Sequence, residues 1–312
     1  MEDHRYERQV RSAEGKHVTR YTAIDPADEA ISCTCGKPEC TRARLRPFRQ
    51  HIAGLHELLS RLMSEEMAVS ESSGWFGVLY GLRMAASIED VIADTGYVED
   101  PLVFEFCEPT IDYENAQSEM ASKYVAGATI FNFLWLAYES AVALAAPNEL
   151  VGLLKGERLG ERGRRLFEAR PDLSDRFAGL KDLVRLAVYE CRQGELLDKR
   201  LDRLKTRFSG HNFITAAEIC REFRNFLFHG EDQVPDHEDW GSQIVSRCRL
   251  YRFYTVSRLL LYLIQAIAWI ELGEANDLIE PLRGHRAIPL RTALEELQFS
   301  TSKSLRVAID MA

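Results

Sequence analysis

Cysteine is sparse and odd in number, with 7 among 312 residues. That is too few to staple a disulfide scaffold, and it leaves at least one thiol unbridged within the chain. The chain also lacks a phosphate-binding glycine loop of the Walker or dinucleotide type, a HExxH zinc-protease pair and a GxSxG nucleophile elbow. The enzyme classes built on those motifs are therefore disfavoured. Strand-like alternation is scarce, no repeat recurs at about 20 to 50 residues, and no low-complexity tract interrupts the chain. An excess of cations is missing as well: the formal net charge of -9 excludes a protein that coats nucleic acid nonspecifically, although a confined basic groove remains compatible with it. The opening stretch, Met1 to Lys16, is charged and has no apolar centre. No secretory signal is expected from it, and a reducing cytoplasm is the expected location. Two apolar runs raise the question of a membrane. Ala126 to Ala146 carries Asn132 and Glu139, while Leu259 to Leu272 is short and carries Gln265 and Glu271. Both read as buried helices, with no membrane partner.

Apolar residues make up 46% of the chain and charged residues 28%, enough to build a buried core and to solubilise its outside. The fold class expected is all-α, in three parts. Residues 1–110 form a smaller N-terminal module, mainly helical, with helices at about Pro47 to Met67 and Phe76 to Ala93. Residues 111–275 form a helical bundle whose periodic segments are Tyr113 to Ala146 (stopped by Pro147 and Asn148), Asp175 to Lys205, Thr215 to His229 and Ser242 to Leu272. Residues 276–312 form a tail that packs back on the bundle. Basic residues gather in Arg158 to Arg176 and in Lys199 to Arg207. Acidic residues interleave with them, so these read as solvated helix faces rather than a nucleic-acid groove.

The third bundle helix has the clearest punctuation. Thr215 and Glu218 have capping-box spacing, and Gly230 stands where a glycine stop is expected. At about 100° per residue, Ile219, Phe223, Phe226 and Leu227 share one stripe, which should face the core. Arg221, Arg224, Asn225, Phe228 and His229 fall on the other side. A large aromatic in the middle of a polar face is unusual for a solvated surface, so Phe228 is expected at a subunit interface.

The string from Arg224 to Gly230 resembles the signature of the HEPN superfamily, in which an arginine, a polar residue (often asparagine) and a histidine four to six positions after the arginine lie on one helix of a small bundle. The segment Phe131 to Ser140 is similar to that family's first long helix, and Arg252 to Leu272 to the helix after the motif. The intervening acidic loop, Glu231 to Trp240, resembles the Apea-like branch. The resemblance spans about residues 113–272. It implies a HEPN-like bundle acting as a metal-independent endoribonuclease on RNA. It also implies a homodimer, and a toxin or phage-defence effector with an antitoxin or defence-system partner.

The side chains fit that chemistry: His229 could serve as base or acid, Arg224 could grip two phosphate oxygens, and Asn225 could orient the imidazole. Arg221 would support them, and Glu139 either reaches the motif face or sits at the rim of a core helix. The same residues have a purely structural reading, with His229 as a helix-end cap and Arg221 and Arg224 as ion-pair partners of Glu218 or Glu222. The alternative function is a non-catalytic HEPN-like module that binds RNA, a nucleotide or a protein partner.

Cys33, Cys35 and Cys40 place three thiols within eight residues, with a glycine and a proline between them. Structural zinc takes four ligands, so His51, His17 or His56 would have to complete a knuckle, with His51 the first choice. A reduced-thiol loop is the alternative. A zinc ion closed in this way would be structural, and catalysis itself would need no cofactor. The remaining cysteines, Cys107, Cys191, Cys220 and Cys248, read as small apolar core residues.

Overall fold

The computed structural model describes residues 6–11, 17–22, 33, 35, 37, 40–66, 74–88, 91–98, 108–149, 159–193, 202, 210–230, 233–237, 244–272, 278–279 and 287–300. The chain is mainly helical, as its composition and periodicity lead one to expect. It begins with an antiparallel hairpin, β1 (Tyr6–Arg11) and β2 (His17–Thr22), in which Val10 pairs with Val18. Helices follow as α1 (Thr41–Arg44), α2 (Phe48–Glu66), α3 (Phe76–Ser87), a 3-10 turn (Thr95–Val98), α4 (Glu108–Glu149), α5 (Leu159–Glu168), α6 (Leu173–Arg176), α7 (Leu180–Gln193), α8 (Phe213–Phe228) and α9 (Ile244–Leu272). A two-stranded ribbon, β3 (Leu278–Ile279) with β4 (Ile288–Pro289), leads into α10 (Leu290–Glu296).

The axis of the molecule is α9. Every residue from Arg252 to Ile270 is buried, and α4, α7, α8, α10 and α2 pack around it. Its apolar run is therefore the second half of a 29-residue helix. Length alone does not exclude a membrane span: α9 and α4 are both long and apolar enough for one. The most apolar window of α9 is wholly buried in the bundle, and that of α4 half-buried.

The hydrophobic core does not divide near residue 110. Phe48, Ile52, Leu55 and Leu59 of α2 belong to the same buried cluster as Phe131 of α4, Phe223 of α8 and Leu294 of α10. Polar bonds across this core tie α2 and the segment before it to α9 and α10. The His51 ring nitrogen Nε2 lies 2.6 Å from Oε1 of Gln265, whose amide donates to the Leu294 carbonyl at 2.8 Å. Arg258, buried in α9, donates to the Arg46 carbonyl at 2.9 Å and lies over the Phe48 ring. Leu45 bridges to Phe299. The tail thus closes against the segment that enters α2, and because His51, Gln265 and Arg258 each bond to a different element, the arrangement is specified as well as buried.

Several expected boundaries shift: α3 ends at Ser87 rather than near Ala93, and α4 begins at Glu108 rather than Tyr113. The periodic stretch from Asp175 is broken after Arg176, where Gly179 adopts φ +90 and the chain re-enters helix at Leu180. A Cβ there would lie 2.9 Å from the Tyr262 hydroxyl, so both the backbone angle and the close approach require glycine. The long helix α4 continues past Pro147 to Glu149.

Candidate functional site

Helix α8 starts one turn earlier than the capping-box spacing predicts. The N-cap is Asn212, whose side chain accepts from the Thr215 amide at 3.0 Å, and the Thr215 hydroxyl donates instead to the Gly210 carbonyl. Asparagine is as good an N-cap as threonine, and its use releases Glu218 for another role. From there the expected stripe forms. Ile219, Phe223 and Phe226 are buried and Leu227 packs against the core. Phe223 meets Phe131 edge-on at 5.0 Å and Phe253 at 5.2 Å. The helix ends as its sequence dictates: the His229 amide donates to the Asn225 carbonyl at 3.0 Å, and Gly230 takes φ +67, the left-handed geometry that a glycine stop supplies.

The opposite side of α8 separates into two parts. Arg221 belongs to the structural reading. Its guanidinium donates to Glu218 at 2.8 and 3.1 Å and to Glu222 at 2.7 Å. Glu218 is itself buried and also faces Arg164 of α5 at 3.5 Å. Burial opposes the Arg221 charge, but Glu218, Glu222 and Glu161 outweigh it and hold the guanidinium above its ordinary pKa. Arg221 is thus held within α8 by Glu218 and Glu222, and Glu218 in turn joins α8 to α5 through Arg164.

Arg224 is placed differently. It has no carboxylate partner among the described residues. It lies over the Phe228 ring at 4.6 Å and reaches Oδ1 of Asn225 at 3.4 Å. Phe228 is 58% exposed, and the His229 ring is exposed with no hydrogen bond to a described residue. One turn at the free end of α8 therefore presents a fixed cation, an amide, an imidazole and an uncovered aromatic. Glu139, half-buried on α4, has neither hydrogen bond nor ion pair to these groups. Beyond the motif, the loop at Gln233–His237 is clasped to the start of α4. Gln117 accepts from the His237 amide and donates to the Pro235 carbonyl, and Tyr113 packs edge-on to the His237 ring at 4.5 Å. Nothing in the local sequence signals that clasp, since its halves lie 120 residues apart.

The thiols of Cys33, Cys35 and Cys40 converge, with all three sulfurs within 4.8 Å of one another, so the cluster can hold a metal ion. The histidine expected to join them does not. His51 points into the core between Gln265 and Tyr262, where burial and the neighbouring Arg258 hold its pKa down to about 3. A neutral ring bonded to an amide is a packing element, and the apolar face of α2 carries it away from the cysteine loop. His56 lies on α2 beside Arg83 and outside the cluster. The side chain of His17 lies outside the described residues. The cluster opens instead on a cleft of about 590 Å3 formed with the start of α7 and lined by Lys37, Arg42, Asp182, Arg185 and Tyr189. Cys191, Cys220 and Cys248 are buried in the bundle, as their isolation predicts, while Cys107 falls outside the described residues. No family model matches the chain, and no curated protein or solved structure matches it.

Proposed function

We propose that the protein is a metal-independent endoribonuclease of the HEPN type, acting as a homodimer with a shared cleft at the free end of α8. The observation that carries this reading is the uncovered turn. Arg224, Asn225 and His229 surround a Phe228 that is 58% exposed, on a helix whose other face already fills the core. An aromatic of that exposure amid polar groups is what the centre of an interface needs, and a two-fold axis close by would bring two sets of these groups together. In that cleft, one His229 takes the proton from a ribose 2′-hydroxyl, and the freed oxygen attacks the adjacent phosphorus. His229 of the partner subunit gives a proton to the departing 5′-oxygen. Arg224 balances the charge that builds on the non-bridging oxygens. The products are a 2′,3′-cyclic phosphate and a 5′-hydroxyl.

RNA is thus the substrate. A cytoplasmic toxin or phage-defence effector held in check by a partner protein is the setting such a nuclease would need. Phosphorus NMR of the products of EDTA-treated protein and RNA tests the chemistry: a cyclic-phosphate signal supports it, and linear phosphate ends alone would exclude it. The three-thiol cluster forms a separate, structural site for one zinc ion, which would tie the loop before α1 in place.

A further inference from the structure

A helix that is apolar on every side needs cover on every side. From Tyr124 to Ala146 of α4, Glu139 is the one charged residue, yet only part of this stretch faces the core. Val125, Thr129, Asn132, Leu136, Glu139 and Ala143 fall within about 80° of one another around the wheel and form the outer side. Val125 is 36% and Leu136 50% exposed, Ala143 is exposed, and the other three are half-buried. Both β1 and α3 touch α4 and leave these side chains uncovered. Helix α3 in fact widens the face. Its Gly77 and Gly81 lie against Ser140 and the Phe133 carbonyl, each within about one turn of Leu136. Its Val78 and Leu82 are buried, while Phe76 and Tyr80 stack on each other on the outer side, 42% and 50% exposed.

The spacing of the six α4 residues alternates between four and three, which is the seam along which two helices pair. This seam is its own complement when reversed. Two copies crossing antiparallel at the level of Leu134 set Val125 against the partner's Ala143, Thr129 against the partner's Glu139 and Asn132 against the partner's Leu136. The two Glu139 carboxylates then stand about 15 Å apart along the helix, whereas a parallel pairing would set them face to face. Area argues for the same occupant. Phe228 can withdraw only about 100 Å2 per copy, and a stable dimer takes roughly 800 Å2 from each partner. The proposed dimer therefore needs a second, larger contact, and a seam about 27 Å long flanked by two exposed aromatics is of the required size.

We propose that the α4 seam, widened by Phe76 and Tyr80, is where a second copy of this chain docks, the two α4 helices running antiparallel with Thr129 of each opposite Glu139 of the other. This rests on the homodimer reading and supplies the area that Phe228 lacks.

Sedimentation equilibrium of the full chain and its variants tests the seam. Leu136 and Thr129 stand outside the core cluster, so substitutions there read association rather than folding. Leu136→Glu should raise the dissociation constant of the dimer at least tenfold. Thr129→Glu sets a carboxylate against the partner's Glu139 and should weaken the dimer about tenfold as well. Adding Glu139→Lys to Thr129→Glu turns that repulsion into an ion pair and should restore association. Residues 129 and 139 lie about 15 Å apart on one helix, so a rescue within a single chain is excluded. A dimer that ignores Leu136→Glu but is lost in Phe228→Glu would overturn the seam and leave the shared cleft at α8 standing. A dimer that Leu136→Glu breaks and Phe228→Glu does not would support the seam and remove the shared cleft. Failure of the charge swap to restore association would overturn the antiparallel register. A wild type that is monomeric at micromolar concentration would overturn both and leave the face to a partner other than this chain.

Discussion

Replacing Phe228 with glutamate is the sharpest perturbation of the proposed dimer. The ring is 58% exposed, and a phenylalanine offers roughly 150–250 Å2 of surface. Each copy can therefore withdraw about 100 Å2 from water and two copies about 200 Å2, which is about 5 kcal/mol at about 25 cal/mol per Å2. Losing that area and setting two carboxylates near one axis should weaken association at least a thousandfold, since about 1.4 kcal/mol is a factor of ten. The fold should not notice. Phe228 lies off the stripe formed by Ile219, Phe223 and Phe226, so thermal unfolding of the variant, once monomeric, should move by no more than about 0.5 kcal/mol. Arg224 lies 4.6 Å from the ring, and a glutamate there would also attract it. Phe228→Ala, which removes area without adding charge, is thus the companion variant. Light scattering at micromolar concentration reads the result: a dimer for the wild type and a folded monomer for Phe228→Glu. A monomeric wild type, or a Phe228→Glu variant that stays a dimer, would refute the reasoning.

Other faces of the structure make independent predictions. Phe223→Ala, at a fully buried ring packed edge-on against Phe131 and Phe253, should cost about 3–5 kcal/mol in urea denaturation; a loss below about 1 kcal/mol would contradict its place in the core. Burial pushes the Glu190 carboxyl up to about 8, although Thr255, Arg42 and Arg252 pull it down. The folded chain then holds a proton that the unfolded chain has released. This contribution to stability is present below the ordinary glutamate range and fades as pH rises from there toward about 8. Glu190→Gln should therefore match the wild type near pH 5 and exceed it above pH 8 by about 1 kcal/mol or more; parallel stability curves across that range would show the carboxyl to be ionised and paired. Elemental analysis should find about one zinc per chain, lost in Cys35→Ser, and metal-free wild-type protein would decide for a plain thiol loop.

Helices with a strong apolar stripe, such as α2, and the long apolar helix α9 were legible in the sequence. The limits of α2 and α9 fall within two residues of those their periodicity predicts, and the buried and exposed sides of α8 follow from its wheel. What was not legible depends on partners far away in the chain. The core seam of His51, Gln265 and Arg258 reads locally as a set of interruptions in apolar pattern, and becomes explicable only when α2, α9 and the tail meet. His51 was accordingly mistaken for a metal ligand, because eleven residues from Cys40 is a plausible spacing and says nothing about which way α2 turns. The hairpin of β1 and β2 was missed since its short strands show little apolar alternation. The break at Gly179 was hidden inside a strongly periodic stretch, where a single glycine is often tolerated. At the motif, sequence could not separate Arg221 from Arg224. The difference lies in Glu218, which Asn212 frees by capping the helix and which then engages Arg221. The cleft that joins Cys35, Lys37, Cys40, Thr41 and Arg42 to α7 carries no sequence signal at all.

The central claim is that Arg224 and His229 cleave RNA. Purified wild type, Arg224→Ala and His229→Ala, each incubated with total RNA in EDTA, test it most directly. Both side chains stand clear of the core, so each variant should melt within about 1 kcal/mol of the wild type while cleavage falls by at least a hundredfold, about the contribution of one general acid–base group. Cleavage that persists in both folded variants, or a wild type that leaves RNA intact as a stable dimer, would contradict the account.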